Sequence, residues 1–355
     1  MRPTRRGFIG GASALSAASL GGLTAALTGF NAHAADVSGY KALVCVFLLG
    51  GMDNHDTLIP YDAPSYDDWA QARAPLLAGF AAARSRENLL PLDPDNRDDF
   101  GGREFALPPE MPGLAGLFAS GEAALAANVG PLIEPVTRSG FDAGAARVPL
   151  RLFSHNDQQA TWQASAPEGA QFGWGGLFAD AALSSNANNA PEFTTITSLG
   201  NELFLTGQLA QPYQVSLGGA AEIELLQAFE DFPSGPGRDV YQTLRNHFRS
   251  ANYSSEALIN RDIAAALQSA FDSNERFNMA RSMAQPLNTA FGPDFLSQQL
   301  QAVAETISIR NQLGVGRQIF FVAIGGFDTH SAQAADLPGL QAGIDAGITS
   351  FHAAM

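Results

Sequence analysis

Two continuous apolar runs stand out along the chain. Ala42-Leu43-Val44-Cys45-Val46-Phe47-Leu48-Leu49 ends at Gly50-Gly51, and Gln318-Ile319-Phe320-Phe321-Val322-Ala323-Ile324 ends at Gly325-Gly326. A strand without polar alternation is buried on both faces, so both runs are predicted as central strands of a parallel sheet. Weaker strands are predicted at 123–129, 148–153, 194–199 and 213–217. Apolar positions recur with helical spacing over 109–119, 173–185, 237–249, 256–271, 293–313 and 338–354. The stretches 85–104 and 131–147 are rich in Pro, Gly and Asp and are expected to be long surface loops. Strands alternating with helices predict a layered α/β sandwich in one domain, with a helical insertion around 235–290.

The first 35 residues fit none of this pattern. Thr4-Arg5-Arg6-Gly7-Phe8 precedes a weakly apolar, uncharged run from Ile9 to Phe30, which closes with Ala32-His33-Ala34-Ala35. Paired arginines, a Gly- and Ala-rich run and a small-residue exit read as a twin-arginine (Tat) signal peptide with cleavage after Ala34 or Ala35. A transmembrane helix is the competing reading, disfavoured by the many Gly, Ser and Thr residues. The expected location is therefore the periplasm or another exported site, with the Tat machinery as a partner. That route carries folded proteins, often already loaded with a metal or cofactor.

Composition then narrows the function. The 355 residues carry a net charge of −15, and Lys41 is the single lysine. Phosphate-backbone binding needs clustered Lys and Arg, so nucleic acid is excluded as a partner. Cys45 is the one cysteine and lies within an apolar run, so it reads as a small core residue and no intramolecular disulfide can form.

Three segments carry candidate chemistry. Gly50-Gly51-Met52-Asp53-Asn54-His55-Asp56-Thr57 follows the first strong strand, where ligands bind in open α/β sheets. Its carboxylates and imidazole are candidate ligands, the plainer alternative being that Asp53 or Asp56 caps a turn. Ser154-His155-Asn156-Asp157-Gln158-Gln159, followed by Thr161 and Trp162, holds seven polar residues in the eight positions 154–161. Ser154 is either the N-cap of a helix or, like Thr161, a nucleophile or metal ligand, with His155 or Asp157 beside it. In Gly325-Gly326-Phe327-Asp328-Thr329-His330, Asp328 and His330 are two apart and fall on one side of an extended segment. A carboxylate and an imidazole so placed suit zinc, manganese or iron. His247 and His352 lie among ordinary polar neighbours in helical patterns and read as structural or surface residues.

Taken together, these segments resemble the DUF1501 family, exported bacterial proteins assigned to the alkaline phosphatase–sulfatase superfamily. The matching stretches also include Thr57-Leu58-Ile59-Pro60-Tyr61, Phe105-Ala106-Leu107-Pro108 and Gly173-Trp174-Gly175-Gly176. The resemblance implies an alkaline-phosphatase-like three-layer α/β/α sandwich with a largely parallel central sheet. It also implies metal-assisted hydrolysis of phosphate or related esters, small or polymeric. Asp53 matches the position of a metal-binding aspartate after the first strand, while Asp328 and His330 resemble later carboxylate and histidine ligands. The metal set so implied is divalent: zinc, manganese, iron or calcium. Ser154, His155 and Thr161 are the catalytic candidates, although Ser154 and Thr161 match no superfamily motif. Family members usually continue past 338–354 with Ser-x-Phe-Gly-Arg and Asp-His-Gly segments, so the sandwich is expected to be incomplete at the C-terminus. A sulfatase is disfavoured, because Val46-Phe47-Leu48-Leu49 after Cys45 is not a formylglycine motif. The competing expectation is a non-catalytic exported binding or assembly protein that keeps the fold and meets another exported protein.

Overall fold

Residue-level architecture comes from a computed structural model, which describes residues 38–355 apart from 167, 201–202, 222–225, 227–228, 230–231, 233 and 250–257. The expected signal peptide lies outside the described residues. Tyr40–Met355 packs as one compact unit.

The strands are β1 (Lys41–Leu48), β2 (Ile59–Pro60), β3 (Leu90–Pro91), β4 (Phe105–Leu107), β5 (Thr195–Thr197), β6 (Tyr213–Ser216), β7 (Gly219–Ala220) and β8 (Arg317–Ile324). The main sheet has the order β1-β8-β5-β6-β7. Its first four strands are parallel, and β7 returns antiparallel beside β6. In the longest pairing Val44 sits opposite Phe320 and Leu48 opposite Ile324. A separate small antiparallel sheet has the order β2-β4-β3.

The principal helices are α1 (Ala63–Ala72), α2 (Pro112–Ala119), α3 (His155–Ala164), α4 (Trp174–Ser184), α5 (Pro236–Arg249), α6 (Leu258–Ser282), α7 (Phe295–Ser308) and α8 (Gln333–Ala354). Several start where a side chain accepts a free backbone N–H: Asp62 from Ser65, Ser154 from Asp157, and Asp294 from Ser297. The first turn of α2 is capped from a distance, since the Asp345 carboxylate on α8 accepts from Gly113 N (3.0 Å) and Leu114 N (2.7 Å).

Alternation along β1 sends its side chains to two cores. Val44, Val46 and Leu48 pack against the larger core, built around Phe193, Phe277, Leu296, Leu300 and Phe320. Cys45 and Phe47 pack on the other face, with Ala179 of α4, Phe204 and Phe321. Helices therefore cover both faces of a mostly parallel sheet. Each fully buried Phe or Leu contributes about 1.5–3 kcal/mol by leaving water.

Six expectations are corrected. The run 42–49 forms an edge strand rather than a central one among the described residues, and Lys41, Ala42 and Leu43 at the start of β1 are exposed. Of the two runs expected to be central, only β8 is paired on both sides, between β1 and β5. No strand forms at 123–129, where no neighbouring strand supplies a ladder, nor at 148–153. In the latter, Pro149 removes a donor and Arg151 takes a left-handed φ of 51°, which turns the chain. The loop 85–104 contributes β3 to the small sheet. The helix expected over 293–313 breaks at Ile309, and the one expected over 256–271 continues to Ser282.

Candidate functional site

The C-terminal ends of β1 and β8 lie side by side, and both continue into glycine pairs. Gly50 has φ of +102°, and a Cβ there would lie 2.9 Å from the backbone nitrogen of Asp328. Only a residue without a side chain lets the two loops come this close. Beyond Gly326 the side chains alternate as an extended segment requires: Phe327 is buried in the core, while Asp328 and His330 emerge into solvent.

Asp328 is met by two imidazoles. His330 Nε2 lies 2.9 Å from its Oδ1, and His155 Nε2, from the first turn of α3, lies 3.6 Å from its Oδ2. Two of the three sequence segments thus converge on one carboxylate. His330 sits at φ of +40°, in the left-handed region that a non-glycine residue adopts only under local constraint. The donor set, one carboxylate and two imidazoles, suits a divalent cation. The rings meet opposite oxygens of Asp328, and among the described residues no three or more His, Cys, Asp and Glu side chains are arranged to hold a metal ion.

Asp53 stands in a different arrangement. Its carboxylate is ion-paired with Arg73, accepts from Gln333 Nε2 (2.6 Å), and caps its own turn through His55 N (3.1 Å). Burial alone would raise its pKa. The hydrogen bonds from Gln333 and Arg73, with the Arg73 charge, hold the carboxyl below its ordinary value. Gln333 opens α8 three residues beyond His330, so this clamp ties the first candidate loop to the third. His55 is exposed, and its carbonyl accepts from Trp69 Nε1 at 2.9 Å. Asp56 is buried against Arg84, and burial pushes its carboxyl up to about 6 although the Arg84 charge opposes this.

The hydroxyls of the second segment serve the helix. Ser154 is the N-cap of α3, accepting from Asp157 N at 3.4 Å, and Thr161 Oγ1 donates to Asp157 O at 2.7 Å. Asp157 is buried. The Ser154 hydroxyl, the Glu168 N–H and Arg151 hold its carboxyl below the usual range. Partial burial pushes the Cys45 thiol up to about 11, and the side chain packs half-buried against the smaller core rather than inside it.

A cleft of about 450 Å³ opens beside these loops, between the end of β1 and α3. Phe47, Leu48, Gly50, Gly51 and Met52 form one wall. Phe153, Ser154, His155, Gln158, Gln159 and Trp162 form the other. Residues 155, 158, 159 and 162 follow the i, i+3, i+4, i+7 spacing of a single helix face. Sequence reasoning singled out the polar segment but not this face, nor Arg73 and Gln333. An isolated Arg at a helix end and a Gln after a loop carry no local signal of a shared partner.

The family's sequence model, described as a protein of unknown function, matches residues 40–355. The chain belongs to the DUF1501 family. No curated protein and no solved structure matches it. The family relation covers both converging loops, the α3 segment and the whole main sheet, and it carries no assigned activity.

Proposed function

We propose that this DUF1501 protein is an exported ester hydrolase of the alkaline phosphatase–sulfatase superfamily, acting on phosphate or related esters with a divalent cation. The observation that carries this reading is the meeting of His155 and His330 on Asp328, at the C-terminal ends of two adjacent parallel strands. Asp328 and His330 would hold the cation, which is zinc, manganese or iron, calcium preferring all-oxygen sites, and His155 is the imidazole left to move protons. When bound, it would neutralise charge on the ester and ease deprotonation of water.

The chain's own residues supply the rest. Gly50 and Gly51 bring backbone close to the reacting group, and an imidazole at the cleft edge can move a proton to the departing alkoxide. The hydroxyls of Ser154 and Thr161 are committed to α3, which favours water as the attacking group over a side-chain nucleophile. Asp53, paired with Arg73, supplies charge balance between the loops in this arrangement. That pairing, with the helix-bound hydroxyls, also supports a second reading, a binding protein that keeps the fold without turnover.

Metal content and hydrolysis of p-nitrophenyl phosphate and bis-p-nitrophenyl phosphate test both readings, with Asp328→Ala and Asp53→Ala alongside the unsubstituted protein. Bound metal and turnover, both lost in Asp328→Ala, support the hydrolase. Metal retained in Asp328→Ala overturns the site assignment, and metal without turnover favours the binding protein.

A further inference from the structure

The face that α3 turns to the cleft is unusual in its chemistry. On an amphipathic helix packed into a core, positions spaced as 155, 158, 159 and 162 are apolar. Here they are His155, Gln158, Gln159 and Trp162, and they face the cleft rather than the protein interior. The buried side of α3 is Asp157, Ala160 and Gln163, with Gln163 Oε1 accepting from Phe204 N at 3.0 Å. The helix is therefore anchored by its other face. Within the stripe His155 meets Asp328 and Gln158 Nε2 donates to Arg151 O at 3.2 Å, which leaves Gln158 Oε1, the Gln159 amide and the Trp162 ring toward the cleft.

Two aromatic rings stand at the mouth. Phe153 is 84% exposed and Trp162 46% exposed. Opposite them lies the end of β1 with Phe47, Leu48, Gly50, Gly51 and Met52, where Phe47 packs on the smaller core and Leu48 and Met52 on the larger one. Among the described residues, no Lys, Arg, Asp or Glu lines the cleft. A ligand that fits has apolar faces for the rings and many neutral donors and acceptors for Gln158 Oε1 and for the Gln159 amide, which both donates and accepts. A purely apolar ligand would strip water from Gln158, Gln159 and His155 without replacing those hydrogen bonds. A charged group would find no counter-charge in the cleft itself. Sugar rings combine C–H faces with neutral hydroxyls, and a volume of about 450 Å³ lies in the range of small-ligand sites.

We infer that the cleft binds the saccharide portion of the substrate, with Trp162 stacking on a sugar ring and Gln158 and Gln159 hydrogen-bonding its hydroxyls. This rests on the hydrolase reading for the ester end, because His155 belongs both to the cleft and to the Asp328 cluster. The substrate class is then an ester carried on a sugar, with its anionic group toward Asp328 and its ring between Trp162 and the end of β1.

Calorimetric titration of the protein with maltotetraose, cellotetraose and chitotetraose tests this separately from catalysis. At least one of these is expected to bind. Affinity should fall about tenfold in Trp162→Ala and in Gln159→Leu, be partly kept in Trp162→Phe, and be unchanged in Asp328→Asn. Circular dichroism confirms that each variant is folded. Absence of binding by the folded protein, or binding untouched by Trp162→Ala and Gln159→Leu, overturns the inference whatever happens with nitrophenyl esters. Saccharide binding without ester hydrolysis sustains it and removes the hydrolase reading instead.

Discussion

Arg84 reaches Asp56 inside the protein, with Nε 3.0 Å from one carboxylate oxygen and 3.1 Å from the other, and both residues are almost wholly shielded from water. The same guanidinium donates to Glu110 (2.9 Å) and to Gln341 Oε1 of α8 (2.9 Å), and stacks over the Phe80 ring. One side chain thus joins the turn after β1, the segment before α2, and α8. Removing one partner of such a buried network strands the other charge. Arg84→Ala is expected to cost about 3–5 kcal/mol in urea unfolding, and Asp56→Ala about as much. A loss below about 1 kcal/mol in both would mean that water enters and satisfies the cluster.

The same pair sets a pH dependence. Burial raises the folded pKa of Asp56 from 3.8 to about 6, so the folded state holds that proton more tightly than the unfolded chain does. Stability from this group is fully present below 3.8 and is lost as pH rises through about 6. In the protein as it stands, unfolding free energy should fall across that window by an amount that Asp56→Asn abolishes. Identical pH profiles for the two proteins between pH 4 and 6.5 would refute this assignment.

Asp53 has the opposite sign. Its folded pKa is lowered, so its contribution is present above the unfolded value and lost as pH falls through the folded one. The stability gap between the protein and Asp53→Asn is therefore expected to be widest near neutrality and to close under acid. Melting temperatures measured from pH 7 down to pH 3 check it, and a gap that widens on acidification runs against the Arg73–Gln333 clamp.

How far the sequence revealed this arrangement depends on the range of the interactions. Strand β8 and helices α2, α4, α5 and α7 follow from apolar periodicity, a local signal. The segment 148–153 looked extended by hydrophobicity, yet Pro149 and Arg151 turn it, and backbone geometry at single residues outweighs a short apolar run. β1 was legible as a strand but not as an edge, since its composition is that of a buried strand and its neighbours are set by topology. Asp328 and His330 were legible as a pair because their spacing puts them on one side of a strand extension. Their meeting with His155 was not, because nothing local in the α3 segment records the end of β8. The Asp53–Arg73–Gln333 clamp was invisible for the same reason.

Asp345 supplies a long-range cap, and its removal should be felt in α2 rather than in α8. Its two oxygens take the N–H groups of Gly113 and Leu114, which have no partner within α2. Asp345→Ala is expected to lose about 1–3 kcal/mol, and Asp345→Asn less, because the amide oxygen can still accept one of the two bonds. Hydrogen exchange provides the local readout. Faster exchange confined to the first turn of α2 supports the cap, whereas uniform acceleration over α8 would assign the loss to packing against Thr349 and its neighbours.

Gly50 and Gly51 allow backbone strain and side-chain clash to be separated at the candidate site. Both have positive φ, +102° and +85°, so an alanine at either is strained. They differ in what the new methyl group would meet. At Gly51 nothing lies within 4 Å, whereas at Gly50 the Asp328 backbone nitrogen is 2.9 Å away and its Cβ 3.2 Å. Gly51→Ala should therefore cost about 1–2 kcal/mol and leave the Asp328 loop in place. Gly50→Ala should cost at least as much and also push that loop away from β1, which moves Asp328 relative to His155. Amide exchange over residues 326–331 is expected to accelerate in Gly50→Ala alone, together with a loss of cation binding that Gly51→Ala does not share. Equal behaviour of the two variants would show that the close approach of the loops does not hold Asp328 in position.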